Sequence, residues 1–228
     1  MGQMTIRQTS VDLPGFEQNT VLEPVSFLGS DTRLVCDFEF GDGTQNALEL
    51  TEAQLLHGKI RGLRAERASI TATRMDSVEF TGCDLSSLHW TGGRLSRVRF
   101  DACRLLGARF DGMNVEHVVF TGCKLDYATL DHIRATGPVV FARCTLREAA
   151  LVGCSLAGSL FNDCDLLRTD FGPGNYRRCD LRGNDLSALT GASYLKHVII
   201  DYAQTMQLGE ALAAELEMTL GDGSPDRA

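Results

Sequence analysis

The chain has 228 residues, 43% of them hydrophobic, and its 30 Asp or Glu against 22 Lys or Arg give a net charge of −8. This length and apolar content suffice for a sizeable core, so one long domain with small caps is expected. The acidic balance excludes a surface built to hold nucleic-acid phosphates, which requires clustered basic side chains. No apolar run is long enough to span a bilayer and residues 1–20 lack the pattern of a signal peptide, so a cytoplasmic protein without membrane contact is expected.

The first segment, residues 1–47, is predicted to be an N-terminal cap made of divergent strands. Hydrophobic side chains alternate there with other residues, as they do in strands, and Gly41-Asp42-Gly43 provides a turn. The alternating residues are Val25, Phe27, Leu34, Cys36, Phe38 and Phe40.

The central segment, residues 48–190, places an apolar or aromatic residue at every fifth position. Its most regular form is the frame F-x-x-C-x-L, which starts at residues 80, 100, 120, 141 and 161. A period of five matches neither a helix nor an ordinary strand, so it predicts a solenoid in which each pentapeptide forms one side of a coil. One extra residue near Pro138 shifts the frame and predicts a local bulge.

This pattern resembles the pentapeptide-repeat family, whose usual frame is A-(D/N)-L-x-x. The clearest matches are Cys83-Asp84-Leu85, Cys164-Asp165-Leu166, Cys179-Asp180-Leu181 and Asn184-Asp185-Leu186. The resemblance implies an all-β solenoid, a right-handed quadrilateral β-helix with four pentapeptides per coil. Every twentieth residue then stacks on the same wall, and about seven coils spaced by about 4.8 Å give a rod of roughly 34 Å.

The stacking places the cysteines of the frame in one inward column, formed by Cys83, Cys103, Cys123, Cys144 and Cys164. Their spacing matches no C-x-x-C metal site, and free cysteine is a common small core residue. We therefore expect buried, reduced thiols and no metal site.

Two sets of outward residues are candidates for a partner surface. Val119, Val140 and Leu160 occupy one outward position on three successive coils, where polar residues are usual. This trio can bind a partner, form a homodimer seam or lie beneath a terminal segment of the chain, or it can simply reflect strand propensity. The second set is an acidic ladder on one wall, interrupted by Arg109 and formed by Asp111, Asp131 and Asp170.

The last segment, residues 191–228, is predicted to be a linker followed by a helix. Asp201 and Gln204 suit a capping-box start. Four leucines then recur at helical spacing, and they are Leu208, Leu212, Leu216 and Leu220. Such an apolar stripe has to be buried, either against the last coil, against a second copy, or both. Because the family often dimerises at this end, a homodimer is expected.

The sequence carries no GxxxxGK(S/T), GxSxG, HExxH or GxGxxG motif, and its five histidines are scattered, so neither an enzyme nor a cofactor is expected. Two functions stay open. The first is a rigid protein-binding scaffold with an unidentified partner. The alternative, implied by the resemblance to some family members, is a DNA-mimicking modulator or protector of a type II topoisomerase, DNA gyrase or topoisomerase IV. Residues 78–188 carry 13 basic and 13 acidic residues, which favours the scaffold because a duplex mimic requires an acidic rod.

Overall fold

The structure is a computed structural model that describes residues 2–16 and 21–219. Parallel strands stack into a β-solenoid of about seven turns, and one short helix follows it. Strands of neighbouring coils pair twenty residues apart, as Ile60 does with Phe80. The all-β solenoid predicted from the period of five is therefore confirmed.

The strands form one separate hairpin and two long sheets. The hairpin, which we call the N-terminal hairpin, is antiparallel and consists of β1 (Gly2–Ile6) and β2 (Thr9–Leu13). The remaining strands in chain order are β3 (Glu23–Val25), β4 (Leu34–Phe40), β5 (Gly43–Thr51), β6 (Gln54–Arg61), β7 (Leu63–Thr71), β8 (Arg74–Thr81), β9 (His89–Thr91), β10 (Arg94–Asp101), β11 (Arg109–Asp111), β12 (Asn114–Thr121), β13 (Thr129–Asp131), β14 (Arg134–Ala135), β15 (Val139–Ala142), β16 (Ala150–Val152), β17 (Leu160–Asn162) and β18 (Asp170–Phe171).

The two long sheets lie on opposite sides of the solenoid, because successive strands along the chain belong in turn to one sheet and to the other. One sheet runs in the order β17-β15-β12-β10-β8-β6-β4-β3, with β14 beside β12, and the other runs β18-β16-β13-β11-β9-β7-β5. Between them the pentapeptides that contain the cysteines pair mostly through isolated bridges, such as that between Asp84 and Arg104.

The solenoid begins before the residue at which the repeats become recognisable. In the structure β4 already pairs with β6, from Leu34 opposite Gln54 to Phe40 opposite Ile60. Before it, β3 pairs in parallel with β4, from Glu23 opposite Phe38 to Val25 opposite Phe40, so the stack starts at β3 and not at residue 48, and the segment predicted to be a cap supplies the first part of the solenoid. The period of five is not recognisable in this part of the sequence because a polar residue, Gln45, occupies a buried position. Its Nε2 donates a hydrogen bond to the Leu28 carbonyl at 2.9 Å.

The core is a set of side-chain columns that run along the rod. The phenylalanine rings of neighbouring coils are stacked with centroids 4.7–5.0 Å apart, which matches the strand spacing. This column contains Phe80, Phe100, Phe120, Phe141 and Phe161. A parallel leucine column, buried throughout, contains Leu85, Leu105, Leu125, Leu146, Leu166 and Leu186.

The five cysteines of the frame are buried and unpaired, as the stacking predicts. Four of these thiols lie near the carbonyl of a phenylalanine, as Cys123 Sγ does at 3.4 Å from the Phe100 oxygen, and the Cys83 thiol lies near the Ile60 carbonyl. Asn184 ends this column, and its Nδ2 donates to the carbonyls of Phe161 and Leu181. Cys36, in contrast, is exposed.

The predicted bulge at Pro138 is present. Phe100 pairs with Phe120, twenty residues later, whereas Phe120 pairs with Phe141, twenty-one residues later. The Pro138 carbonyl accepts a hydrogen bond from the Val118 amide at 3.3 Å, so the proline takes part in the ladder through its oxygen, although it has no N–H to donate.

A 3-10 turn at Ala192–Tyr194 leads to helix α1, Gln204–Glu215, which closes the last coil. Gln204 is buried, and its Nε2 donates hydrogen bonds to the Leu181 and Asn184 carbonyls. Its Oε1 also accepts from the Asp201 amide, which is the backward arm of the predicted capping box. In the described part of the chain, no helix is long and apolar enough to cross a membrane.

Candidate functional site

The acidic wall is the outward side of the sheet formed by β5, β7, β9, β11, β13, β16 and β18. Asp111 and Asp131 are directly opposite each other on adjacent coils, so their side chains stack. Asp170 does not continue this pair, because it lies opposite Ala150 in another column of the same wall. The predicted three-member ladder is therefore a stacked pair with a third aspartate nearby.

A histidine, His132, lies beside the stacked pair of Asp111 and Asp131 on the acidic wall. Asp131 Oδ1 is 2.6 Å from His132 Nδ1, and the polar atoms of Asp111, Asp131 and His132 lie within 4.8 Å of one another. Arg109 beside them is exposed. Within the described residues neither Asp111, which is exposed, nor Asp170, which is half-buried, takes part in a salt bridge.

The predicted partner surface of outward aliphatic residues is not available to a partner in this structure. Val119, Val140 and Leu160 are each at most 1% exposed. The N-terminal hairpin covers them, and its Val11 is itself 0% exposed. Of the alternatives for this trio, the structure therefore shows cover by a terminal segment.

Polar contacts fix both ends of this covered region. Arg7 Nη1 donates to Asp180 Oδ1 at 3.1 Å and to the Arg182 carbonyl at 2.8 Å. At the other end, the Asp12 amide donates to His117 Nδ1 at 3.0 Å. Burial of Asp180 opposes its ionisation, but the hydrogen bonds from Arg182 and the charge of Arg7 outweigh it, so the pKa of Asp180 lies below its usual value.

The C-terminal end presents the other candidate surface, but through different residues from those predicted. Leu208 and Leu212 pack against the rod's own core, and Leu216 lies beyond the helix at 53% exposed. The fourth predicted leucine, Leu220, lies outside the described residues. The large apolar side chains that face solvent are instead Tyr202, 93% exposed, and Met206, 74% exposed, because the other face of the helix is used to close the coil.

Comparison with known proteins agrees with this geometry. The family model for pentapeptide repeats matches in eight copies, over residues 79–114 and 140–172. The chain carries pentapeptide repeats in both segments. No curated protein matches this pentapeptide-repeat chain in sequence.

Solved structures with the same architecture include a trypsin-treated form of QnrB1, a plasmid-mediated fluoroquinolone resistance protein. It is 18% identical, with a TM-score of 0.57 over 87% of this chain and 95% of that chain. HetL, a pentapeptide-repeat protein involved in heterocyst differentiation regulation in the cyanobacterium Nostoc, is 17% identical, with a TM-score of 0.24 over 74% of this chain and 87% of its own. At 18% identity the likeness to QnrB1 supports the fold alone.

The alternation that predicts the cap, from Val25 to Phe40, does not include the N-terminal hairpin. Its strand pattern is short, because hydrophobic residues alternate with polar ones over only three residues on each side of the turn. They are Met4 and Ile6 before Arg7, and Val11 and Leu13 after it. These are the four side chains that the hairpin directs at the rod. On the rod, the outward aliphatic residues Val119, Val140 and Leu160 indicate the surface that the hairpin covers.

Proposed function

We propose that this pentapeptide-repeat protein is a non-enzymatic, rigid scaffold of the cytoplasm that binds a protein partner through its acidic wall. The observation that supports this is the stacked pair of Asp111 and Asp131 on a wall backed by a closely packed core. A rigid wall loses little conformational freedom on binding, and its carboxylates complement a basic surface on the partner. The chemistry of the partner is therefore a protein surface rich in Lys and Arg.

A set of three baits tests this proposal in a lysate of the source organism. The first is the wild-type chain, and the second carries Asp111→Lys and Asp131→Lys. The third has the same change in net charge but places it outside the strands of that sheet, with Glu148→Lys and Asp163→Lys at two exposed residues. We expect one protein to be retained by the wild type and by the third bait and lost from the second. Retention by all three baits equally would contradict a role for the acidic wall.

A second candidate function is modulation or protection of a type II topoisomerase. Two observations favour it: the acidic wall, and the fold shared with QnrB1, which is a fluoroquinolone resistance protein. The stacked carboxylates of this wall can meet a basic groove of such an enzyme that otherwise accepts DNA phosphates. To test this candidate, the same three proteins are added to purified gyrase or topoisomerase IV in the presence of a fluoroquinolone. We expect the wild type and the third protein to alter the enzyme's reaction, and the variant at Asp111 and Asp131 to leave it unchanged. No effect of the wild type on either enzyme would remove this candidate.

We also propose that two copies associate through the exposed apolar side chains of the C-terminal end. Tyr202 lies two residues before the helix and Met206 lies in its first turn, and both side chains are largely exposed. A double change to Tyr202→Asp and Met206→Asp should therefore lower the mass in light scattering from that of a dimer to the 24.9 kDa of one chain.

The control for this dimer prediction is Tyr127→Asp, at an aromatic residue that is 62% exposed on the side of the rod. It should leave the mass unchanged. A wild-type mass near 25 kDa at micromolar concentration would contradict the dimer while leaving the helix as the cap of the last coil.

A further inference from the structure

The N-terminal hairpin is attached to the rod by side chains and not by a β-ladder. Its two strands pair with each other and with no other strand that the structure describes. The hydrogen bonds described between it and the wall beneath are the two from Arg7 Nη1 and the one from the Asp12 amide. The hairpin can therefore leave the rod without breaking the stacking of any coil.

The surface beneath the hairpin has the features of a recognition site. An apolar strip, which we define as Val119, Val140, Ala142 and Leu160, receives Val11. At one end of the strip the side chain of Asp180 is only 6% exposed, yet it accepts hydrogen bonds from two arginines. A buried carboxylate of this kind selects a guanidinium, which presents several donors in a fixed geometry.

The residue that fills this carboxylate site is unusual for its place in the hairpin. Ile6 pairs with Thr9, so Arg7 and Gln8 form a two-residue turn in which Arg7 has a φ of 55°. Glycine and asparagine are the residues that favour this left-handed conformation in hairpin turns. The arginine is thus disfavoured by the turn and favoured by Asp180 and the Arg182 carbonyl, which indicates that recognition accounts for its presence.

We propose that this wall is a docking site for an arginine-tipped β-hairpin, and that the chain's own residues 2–13 fill the site and control access to it. The partner that fits carries an arginine in its turn and a β-branched residue four positions later, as Arg7 and Val11 do. The site lies on the wall opposite to the acidic wall. It therefore goes beyond the proposed function, and either can fail without the other.

A peptide-binding experiment on the full chain tests this proposal. The probe is residues 2–13 as a cyclic peptide, closed across the Gly2 and Leu13 pair and labelled with a fluorophore at the exposed Gln3. The open variant is the full chain with Arg7→Asp and Val11→Asp, which removes both anchors of its own hairpin. Fluorescence anisotropy should show saturable binding to the open variant and binding about 10-fold weaker or more to the wild type, because a tethered competitor has an effective concentration in the millimolar range.

The specificity of this binding is tested by one further pair of changes. Adding Asp180→Asn to the open variant should abolish peptide binding, since the guanidinium then loses its ionic partner. The matched control is Asp185→Asn, which alters an exposed aspartate of the next D-L repeat and should change nothing. Equal affinity for the wild type and the open variant, no binding to either, or binding that is unaffected by Asp180→Asn would each overturn the proposal.

Hydrogen exchange on the unmodified chain provides a test that does not depend on the open variant folding. If the hairpin opens by itself, amides of residues 3–12 exchange well before those of β10 and β12 beneath it. Exchange of all these amides at one common rate would show that the hairpin leaves only when the rod unfolds, and would overturn its role in controlling access. Should the double change prevent folding, Arg7→Ala replaces it as a milder open variant with the same expected order of affinities.

Discussion

Replacement of Phe120 by alanine is expected to lower the free energy of unfolding by about 3–5 kcal/mol. The Phe120 ring stacks between Phe100, at 4.8 Å, and Phe141, at 5.0 Å, and meets the edge of Phe110 at 6.4 Å. Truncation leaves a cavity that the surrounding coils cannot close, because the β-ladders on both sides hold their spacing. In a solenoid each coil is stabilised by its neighbours, so the loss affects both adjacent coils.

Chemical denaturation measures this loss, and the same substitution elsewhere provides the control. Phe27 is 60% exposed, so Phe27→Ala should change the free energy of unfolding by less than about 1 kcal/mol. A loss at Phe120 as small as that at Phe27 would mean that the stacked column does not carry the stability that its geometry indicates.

The repeated part of the fold could be predicted because each repeat supplies the same information again. A phenylalanine every twenty residues, from Phe80 to Phe161, leaves a single arrangement that buries all the rings together. The shift near Pro138 was predictable for the same reason, since one extra residue in a regular frame has to be placed somewhere. Regular spacing thus determines which side chains face inward, without any knowledge of contacts distant in sequence.

The ends of the molecule were harder to predict because their contacts are not repeated. Because Gln45 takes a buried position, the period of five becomes recognisable only at residue 48, and the pattern predicts a cap where β4 and the start of β5 form part of the solenoid. The hairpin lies on residues more than a hundred positions away, as Val11 does on Val119. A pattern within residues 2–13 can predict two strands, but it cannot specify the wall on which they lie.

The C-terminal helix shows how one buried polar residue decides an orientation that an apolar stripe leaves open. Gln204 donates to two carbonyls of the last coil, and this fixes which face of the helix turns inward. Leu208 and Leu212 then pack on the core, and Tyr202 and Met206 are left in solvent. The leucine spacing predicted the helix, whereas the surface available to a second copy depends on hydrogen bonds that spacing does not reveal.

Alkaline pH is expected to destabilise the rod through its buried thiols, beginning near pH 9. Burial raises the pKa of Cys154 from its ordinary value of 9.0 to about 11, and its Sγ lies 3.2 Å from the Leu130 carbonyl, to which it donates. Burial also raises the pKa of Cys179. The folded state therefore holds these protons more tightly than the unfolded state, so the stabilisation is complete below about pH 9 and is lost as pH rises to about 11. For Cys154 alone the loss is about 2–3 kcal/mol.

The contribution of Cys154 can be isolated with a variant that has no thiol at that position. Urea denaturation of the wild type and of Cys154→Ala is compared at pH 8, 9, 10 and 11, in the presence of a reductant that keeps the exposed Cys36 from oxidising. The variant starts less stable because of the small cavity, but its stability should fall less steeply between pH 9 and 11, since one titrating group has been removed. Burial raises the pKa of Tyr176 in both proteins, and the charge of the Cys154 thiolate raises it further in the wild type, so this group also makes the wild type lose stability more steeply than the variant. Parallel pH profiles for the two proteins would mean that the Cys154 thiol ionises as easily in the folded chain as in the unfolded one.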